Sequence, residues 1–240
     1  MRFLLAALIA FLFNASLPAA ADDALTTPSA FDMLNTAANL AARHADTRFA
    51  YTVDYWGREN DEEVAVKVRY DPRLPDGERW RLVGASLEDL DKDLRKEIED
   101  LEERERPDEK LVYYKISDAL AGLEFIEEAD AYAIFRGLMN GEDLPQDVLQ
   151  GTITLNKTTG HIERIELRAL EPFKPAPIAK VKQFYQDQRF SPPLGDGPAL
   201  LVESESDVSG KALFKKFSRA SRRRFSDIEL VNPADIASAE

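Results

Sequence analysis

The run Phe49-Ala50-Tyr51-Thr52-Val53-Asp54-Tyr55, followed by Val64-Ala65-Val66-Lys67-Val68-Arg69-Tyr70, decides the fold class. In both runs, aromatic or β-branched residues alternate with small or polar ones. That two-residue repeat belongs to strands with one buried face. The polar stretch Gly57–Glu62 between them reads as the connection of a hairpin. Asp71-Pro72-Arg73-Leu74-Pro75-Asp76-Gly77 is dense in turn formers, and a short strand over 79–83 then carries Trp80 and Leu82 on one face.

On the N-terminal side the period changes to that of a helix. Ser29 with Asp32 makes a capping-box pattern, and Phe31, Leu34, Ala37, Ala38, Leu40 and Ala41 follow at helical spacing, predicting a helix over 30–45. On the other side, Leu87, Leu90, Leu94, Ile98 and Leu101 form a narrow apolar stripe among charges. They predict a strongly acidic amphipathic helix over 86–106 that ends at Pro107. It reads either as a docking arm or as a solvated helix beside the sheet.

Strand patterns then resume over 123–127 and 132–138. The clearest hairpin flanks Lys157-Thr158-Thr159-Gly160, with Ile153 and Leu155 on one face of its first strand and Ile165 and Leu167 on one face of its second. Ile162 falls out of phase with Ile165, predicting a bulge near Glu163-Arg164. The proline-rich stretch 171–177 reads as a break or an edge, 178–190 as a long strand, and 199–208 with 213–225 as a last hairpin turning at Ser209-Gly210. This layout predicts an α+β, mainly β fold: one strongly curved antiparallel sheet, a half-barrel, with an N-terminal helix and a charged helix against or beside it.

The ends and the composition bound the setting. Met1-Arg2, the apolar run from Phe3 to Phe13 and Ala19-Ala20-Ala21 form a secretory signal peptide, with cleavage expected after Ala21. The run is shorter than the roughly 20 residues a bilayer span needs. The expected organisation is a leader over 1–21, a single domain over 22–231 and a loose tail over 232–240, in a periplasmic protein with no transmembrane segment in the mature chain. There are no cysteines, which excludes disulfides, thiolate chemistry and Cys-ligated metals. The net charge of -13 argues against nucleic acid as a partner.

The search for chemistry finds no catalytic, cofactor or metal set. His44 and His161, the two histidines, have no ligand partner at metal spacing and read as surface residues. No nucleophile elbow, P-loop or dinucleotide fingerprint is present. Two features remain. A basic patch gathers Lys211, Lys215, Lys216, Arg219, Arg222, Arg223 and Arg224. It would face lipid headgroups or an acidic partner, or pair with Glu203, Glu205 and Asp207 on the preceding strand. The second is an apolar sheet face made of Phe49, Tyr51, Val53, Tyr55, Val66, Val68, Trp80, Leu82, Ile153, Leu155, Ile165 and Leu167. In a curved single sheet that face would line a cavity for a hydrophobic ligand, and in a packed scaffold it would fill a core.

The order of elements resembles the lipoprotein-carrier half-barrels of the bacterial envelope, the LolA/LolB/MucB-like group. The resemblance runs through signal peptide, short helix, strand 47–56, strand 63–70, turn and Trp80 strand, and through Gly151-Thr152-Ile153-Thr154-Leu155-Asn156-Lys157-Thr158-Thr159-Gly160-His161-Ile162. No lipobox cysteine is present, and the helix over 86–106 is more acidic than the carrier pattern. The resemblance implies a soluble exported binding module, not an enzyme, that holds or senses an acyl lipid or lipidated partner. The alternatives are an envelope interaction protein acting through charged surfaces and a carboxylate-dependent hydrolase.

Overall fold

The computed structural model describes residues 29–75, 77–84, 111–113, 120–139, 148–176, 178–193, 195–213 and 215–236. The predicted leader over 1–21, the predicted acidic helix over 86–106 and the predicted turn over 140–145 lie outside the described residues.

Helix α1 (Ala30–Arg43) starts where the capping box places it. Ser29 Oγ accepts from the Asp32 amide at 3.2 Å, and Asp32 Oδ2 accepts from the Ser29 amide at 3.1 Å. Each satisfies a donor that the first helical turn leaves open. The Ser29 hydroxyl and amide hold the Asp32 carboxyl below its ordinary range. Leu34, Ala37 and Ala41, spaced three and four apart, are the buried stripe.

The strands are β1 (Phe49–Glu59), β2 (Glu62–Tyr70), β3 (Trp80–Leu82), β4 (Leu120–Glu128), β5 (Tyr132–Met139), β6 (Leu149–Asn156), β7 (His161–Ala169), β8 (Phe173–Ala176), β9 (Ala179–Phe190), β10 (Leu201–Ala212) and β11 (Lys215–Leu230). They form one antiparallel sheet in the order β3-β2-β1-β11-β10-β9-β7-β6-β5-β4, with β8 pairing β9 beside the end of β7. The sheet is curved and open, as the alternating runs predict, and it ends in the edge strands β3 and β4. β4 is blunted by two register shifts and by Glu124, Glu127 and Glu128, which protects an edge from further pairing. A one-turn helix, α2 (Pro233–Ile236), lies where a loose tail was expected; Asn232 Oδ1 accepts from the Ala234 amide at 3.0 Å and starts it.

Turn chemistry corrects two expectations. The β1–β2 connection shrinks to Asn60-Asp61, because Asn60 adopts a positive φ of 54° and closes a two-residue turn. The last hairpin turns at Leu213, not at Ser209-Gly210. Gly210 sits within β10 at a register shift against β9, where a side chain would meet the Lys180 carbonyl oxygen and the Phe217 ring. Its glycine answers a close backbone approach, a use that looks the same in sequence as a turn. The predicted bulge is present: Thr154 pairs Arg164 and Leu155 pairs Ile162, which leaves Glu163 unmatched.

Candidate functional site

All twelve residues of the predicted apolar face lie on one side of the sheet and in one cluster. Phe49, Tyr51, Val53, Val68, Ile153, Leu155 and Ile165 are buried, while Tyr55, Val66, Trp80, Leu82 and Leu167 are half-buried and packed against them. This inner face is also the one on which α1 packs, against β7. Two aromatic groups anchor its wings. Tyr51 stands 5.1 Å from Tyr70 and 5.7 Å from Phe225, and Tyr70 stands 4.8 Å from Trp80. On the other wing Phe135 meets Phe31 of α1 at 4.9 Å and Phe125 at 5.7 Å, centroid to centroid. Between the wings Tyr113 stands edge-on to Phe190 at 4.9 Å. Its hydroxyl accepts from the Ile162 amide at 3.4 Å, and burial pushes its pKa up to about 12.

The inner face is not apolar throughout, contrary to a uniformly greasy hollow. Register links Val66, Tyr55, Arg223, Ser204, Gln188, Ile165, Ile153 and Phe135 in one row across eight strands. Its middle three members are polar, and Ser204 is only 2% exposed. The next row repeats the pattern through Ser221, Ser206 and Gln186. A polar seam therefore crosses β11, β10 and β9 between two apolar wings. In β10 the stretch Glu203-Ser204-Glu205-Ser206-Asp207 is polar on both faces, so the seam was visible there as an absence of apolar alternation.

Tyr55 leans over Gly57 on the same strand, where any β-carbon would collide with its ring and hydroxyl. The ring thus lies along the inner surface at the border between the β1–β3 wing and the seam.

The basic patch is divided by strand alternation. Arg222 and Arg224 point to the outer face with Trp56, whereas Arg219 and Arg223 share the inner phase with Phe225. Lys211 faces Lys216 at the far end of the hairpin, with Lys215 beside it. Arg224 Nε reaches Glu203 Oε1 at 2.7 Å and Arg219 Nη2 reaches Glu59 Oε1 at 2.8 Å. Cross-strand acids thus take up part of the charge that the sequence gathers in one place.

His161 is buried, 3% exposed, which corrects its reading as a surface residue. Its Nδ1 lies 2.5 Å from Thr159 Oγ1, its Nε2 has no hydrogen-bond partner among the described residues, and burial lowers its pKa while the nearby Glu163 charge opposes that shift. His44 caps the end of α1, with Nδ1 3.3 Å from Thr47 Oγ1. Among the described residues, no group of three or more His, Asp or Glu could hold a metal ion, and no helix is long and apolar enough to cross a membrane.

Among known proteins, no family model and no curated protein matches the chain. Among solved structures it is similar to a crystal structure of a LolA superfamily protein from Nitrosomonas europaea, at 13% identity, covering 87% of this chain and 97% of that one, with a TM-score of 0.35.

Proposed function

We propose that this chain is a non-enzymatic binding module of the cell envelope that holds or senses an amphiphile, an acyl lipid or a lipidated partner, along the inner face of its sheet. The reading is carried by one observation: an open sheet whose inner face joins a half-buried apolar wing, Tyr55, Val66, Trp80 and Leu82, to a polar seam at Arg223, Ser204 and Gln188. An acyl chain along the wing would remove apolar surface from water, at roughly 25 cal/mol per Å². Its polar end would meet the half-buried Gln188 amide and Arg223 guanidinium on either side of the buried Ser204. The leader over 1–21 supports export to the periplasm as the setting.

The test is to purify the mature chain, extract it with organic solvent and record native mass spectra. Co-purified acyl lipid, displaced by a fluorescent fatty acid, is the expected result. A chain that emerges empty and fails to take up the probe overturns the reading. That outcome supports a second reading, an interaction scaffold with a filled core. It is favoured by the burial of Phe49, Tyr51, Val53, Val68, Ile153, Leu155 and Ile165 against other side chains.

A further inference from the structure

The outer face of the β10–β11 hairpin is an acid–base ladder that lacks a rung. Its cross-strand partners are Glu203 with Arg224, Glu205 with Arg222, and Asp207 with Ala220. Opposite-charge pairs in this arrangement stabilise a sheet, and at the first rung Arg224 donates to Glu203 at 2.7 Å. At the third rung the place of the cation on β11 holds a methyl group; Arg58 of β1 lies opposite Ala220 on the other side, and among the described residues it makes no ion pair with Asp207. On its other side Asp207 pairs with Tyr185 of β9. Asp207 consequently has no ion-pair partner among the described residues, whereas Asp187 and Glu203 on the same face each have two.

The space left by the missing side chain is an open surface groove of about 340 Å³, lined by Trp56, Tyr185, Glu205, Asp207, Ala220 and Arg222. Two aromatic side chains border a floor of small residues, and carboxylates outnumber guanidinium groups two to one. Ring faces attract planar cations, and Arg58 of this chain already stands 5.9 Å from the Trp56 ring centroid. An anionic ligand would meet Glu205 and Asp207. The groove is open on a sheet face, so it suits a side chain projecting from another molecule better than an enclosed small ligand. The net charge of -13 would draw a basic partner toward the chain.

We propose that this groove seats an arginine of a basic segment in a protein partner, with its guanidinium over Ala220, paired to Asp207 and flanked by Trp56 and Tyr185. The incoming cation completes the third rung.

The test uses the mature chain and an acetylated, amidated tri-arginine peptide, titrated calorimetrically at low ionic strength, where exposed charges are least screened. Wild type should bind it and ignore tri-glutamate. Asp207→Asn, which removes the charge, and Ala220→Arg, which fills the seat from within, should each weaken binding by about tenfold or more, while Asp130→Asn, distant in the β4–β5 turn, should stay within about twofold. Ala220→Arg also sets its guanidinium opposite Arg58 of β1, so its melting temperature should fall, and a melt that stays cooperative separates loss of the seat from loss of the fold. The proposal is overturned if wild type does not bind tri-arginine, if Asp207→Asn and Ala220→Arg bind it as wild type does, or if Asp130→Asn loses as much. Asp207-dependent binding of phosphatidylcholine vesicles without peptide binding would also overturn it and assign the groove to a membrane surface.

Discussion

Arg164 reaches diagonally from β7 to Asp187 on β9, with Nε 2.7 Å from Oδ1 and Nη2 3.1 Å from Oδ2, and the Asp187 side chain is only 3% exposed. This two-point contact begins a chain of ion pairs over the outer face: Asp187 to Arg189, Arg189 to Glu203, and Glu203 to Arg224. Four strands are tied together where side chains other than apolar ones face out. Removing Asp187 leaves two guanidinium groups facing each other across a site it had neutralised. Asp187→Ala should cost about 2 kcal/mol, below the usual figure for a broken buried pair because both arginines are partly solvated. Urea denaturation measures it, and a change within about 0.5 kcal/mol would show that the chain of pairs is ornamental to stability.

The two readings of the inner face separate by mutation. Ile153 is fully buried and belongs to the core in either case, so Ile153→Val should lower stability by about 1 kcal/mol and leave acyl-probe affinity unchanged. Tyr55 and Trp80 are half-buried at the wing. Tyr55→Ala with Trp80→Ala should weaken the probe by about tenfold or more in a chain that still unfolds cooperatively. Undiminished probe binding in that double variant would remove the β1–β3 wing from the ligand site.

Burial lowers the folded-state pKa of His161 from 6.5. The sign follows from linkage: the unfolded chain takes up the proton first as pH drops, so the fold loses stability from pH 6.5 downward to the lower folded value, and above 6.5 the residue contributes no slope. His161→Gln, which does not titrate, should flatten the wild-type decline in urea midpoint over that window. Parallel pH profiles for the two proteins would show that His161 is solvated enough to protonate freely.

Gly210 makes a geometric claim that can be checked without any ligand. Gly210→Ala places a methyl group against the Lys180 carbonyl oxygen and the Phe217 ring. It should destabilise the chain by about 1–3 kcal/mol. A neutral substitution would mean that β9 and β10 can part at this point without cost.

Much of the local structure was legible. The Ser29/Asp32 cap, the alternation in 49–55 and 64–70, and the phase slip at Ile162 each depend on neighbours a few residues away, and each is found where the chain predicts it. The Ser209-Gly210 turn was misread because glycine serves tight turns and close backbone approaches equally well. His161 was misread because its burial comes from tertiary packing, which leaves no trace in the spacing of one residue.

Alternation, capping and turn residues by themselves determined which segments are strands, which face of each is apolar, and that the fold is one antiparallel sheet with helices. Those are short-range properties of backbone sterics and side-chain period. Only the tertiary structure decided that β1 lies beside β11, with Phe49 opposite Leu230. That neighbour choice places Arg223 next to Tyr55 on the inner face and Ala220 at the empty rung on the outer one. Register between strands far apart in the chain is set by the joint packing of the whole face, which no local period encodes.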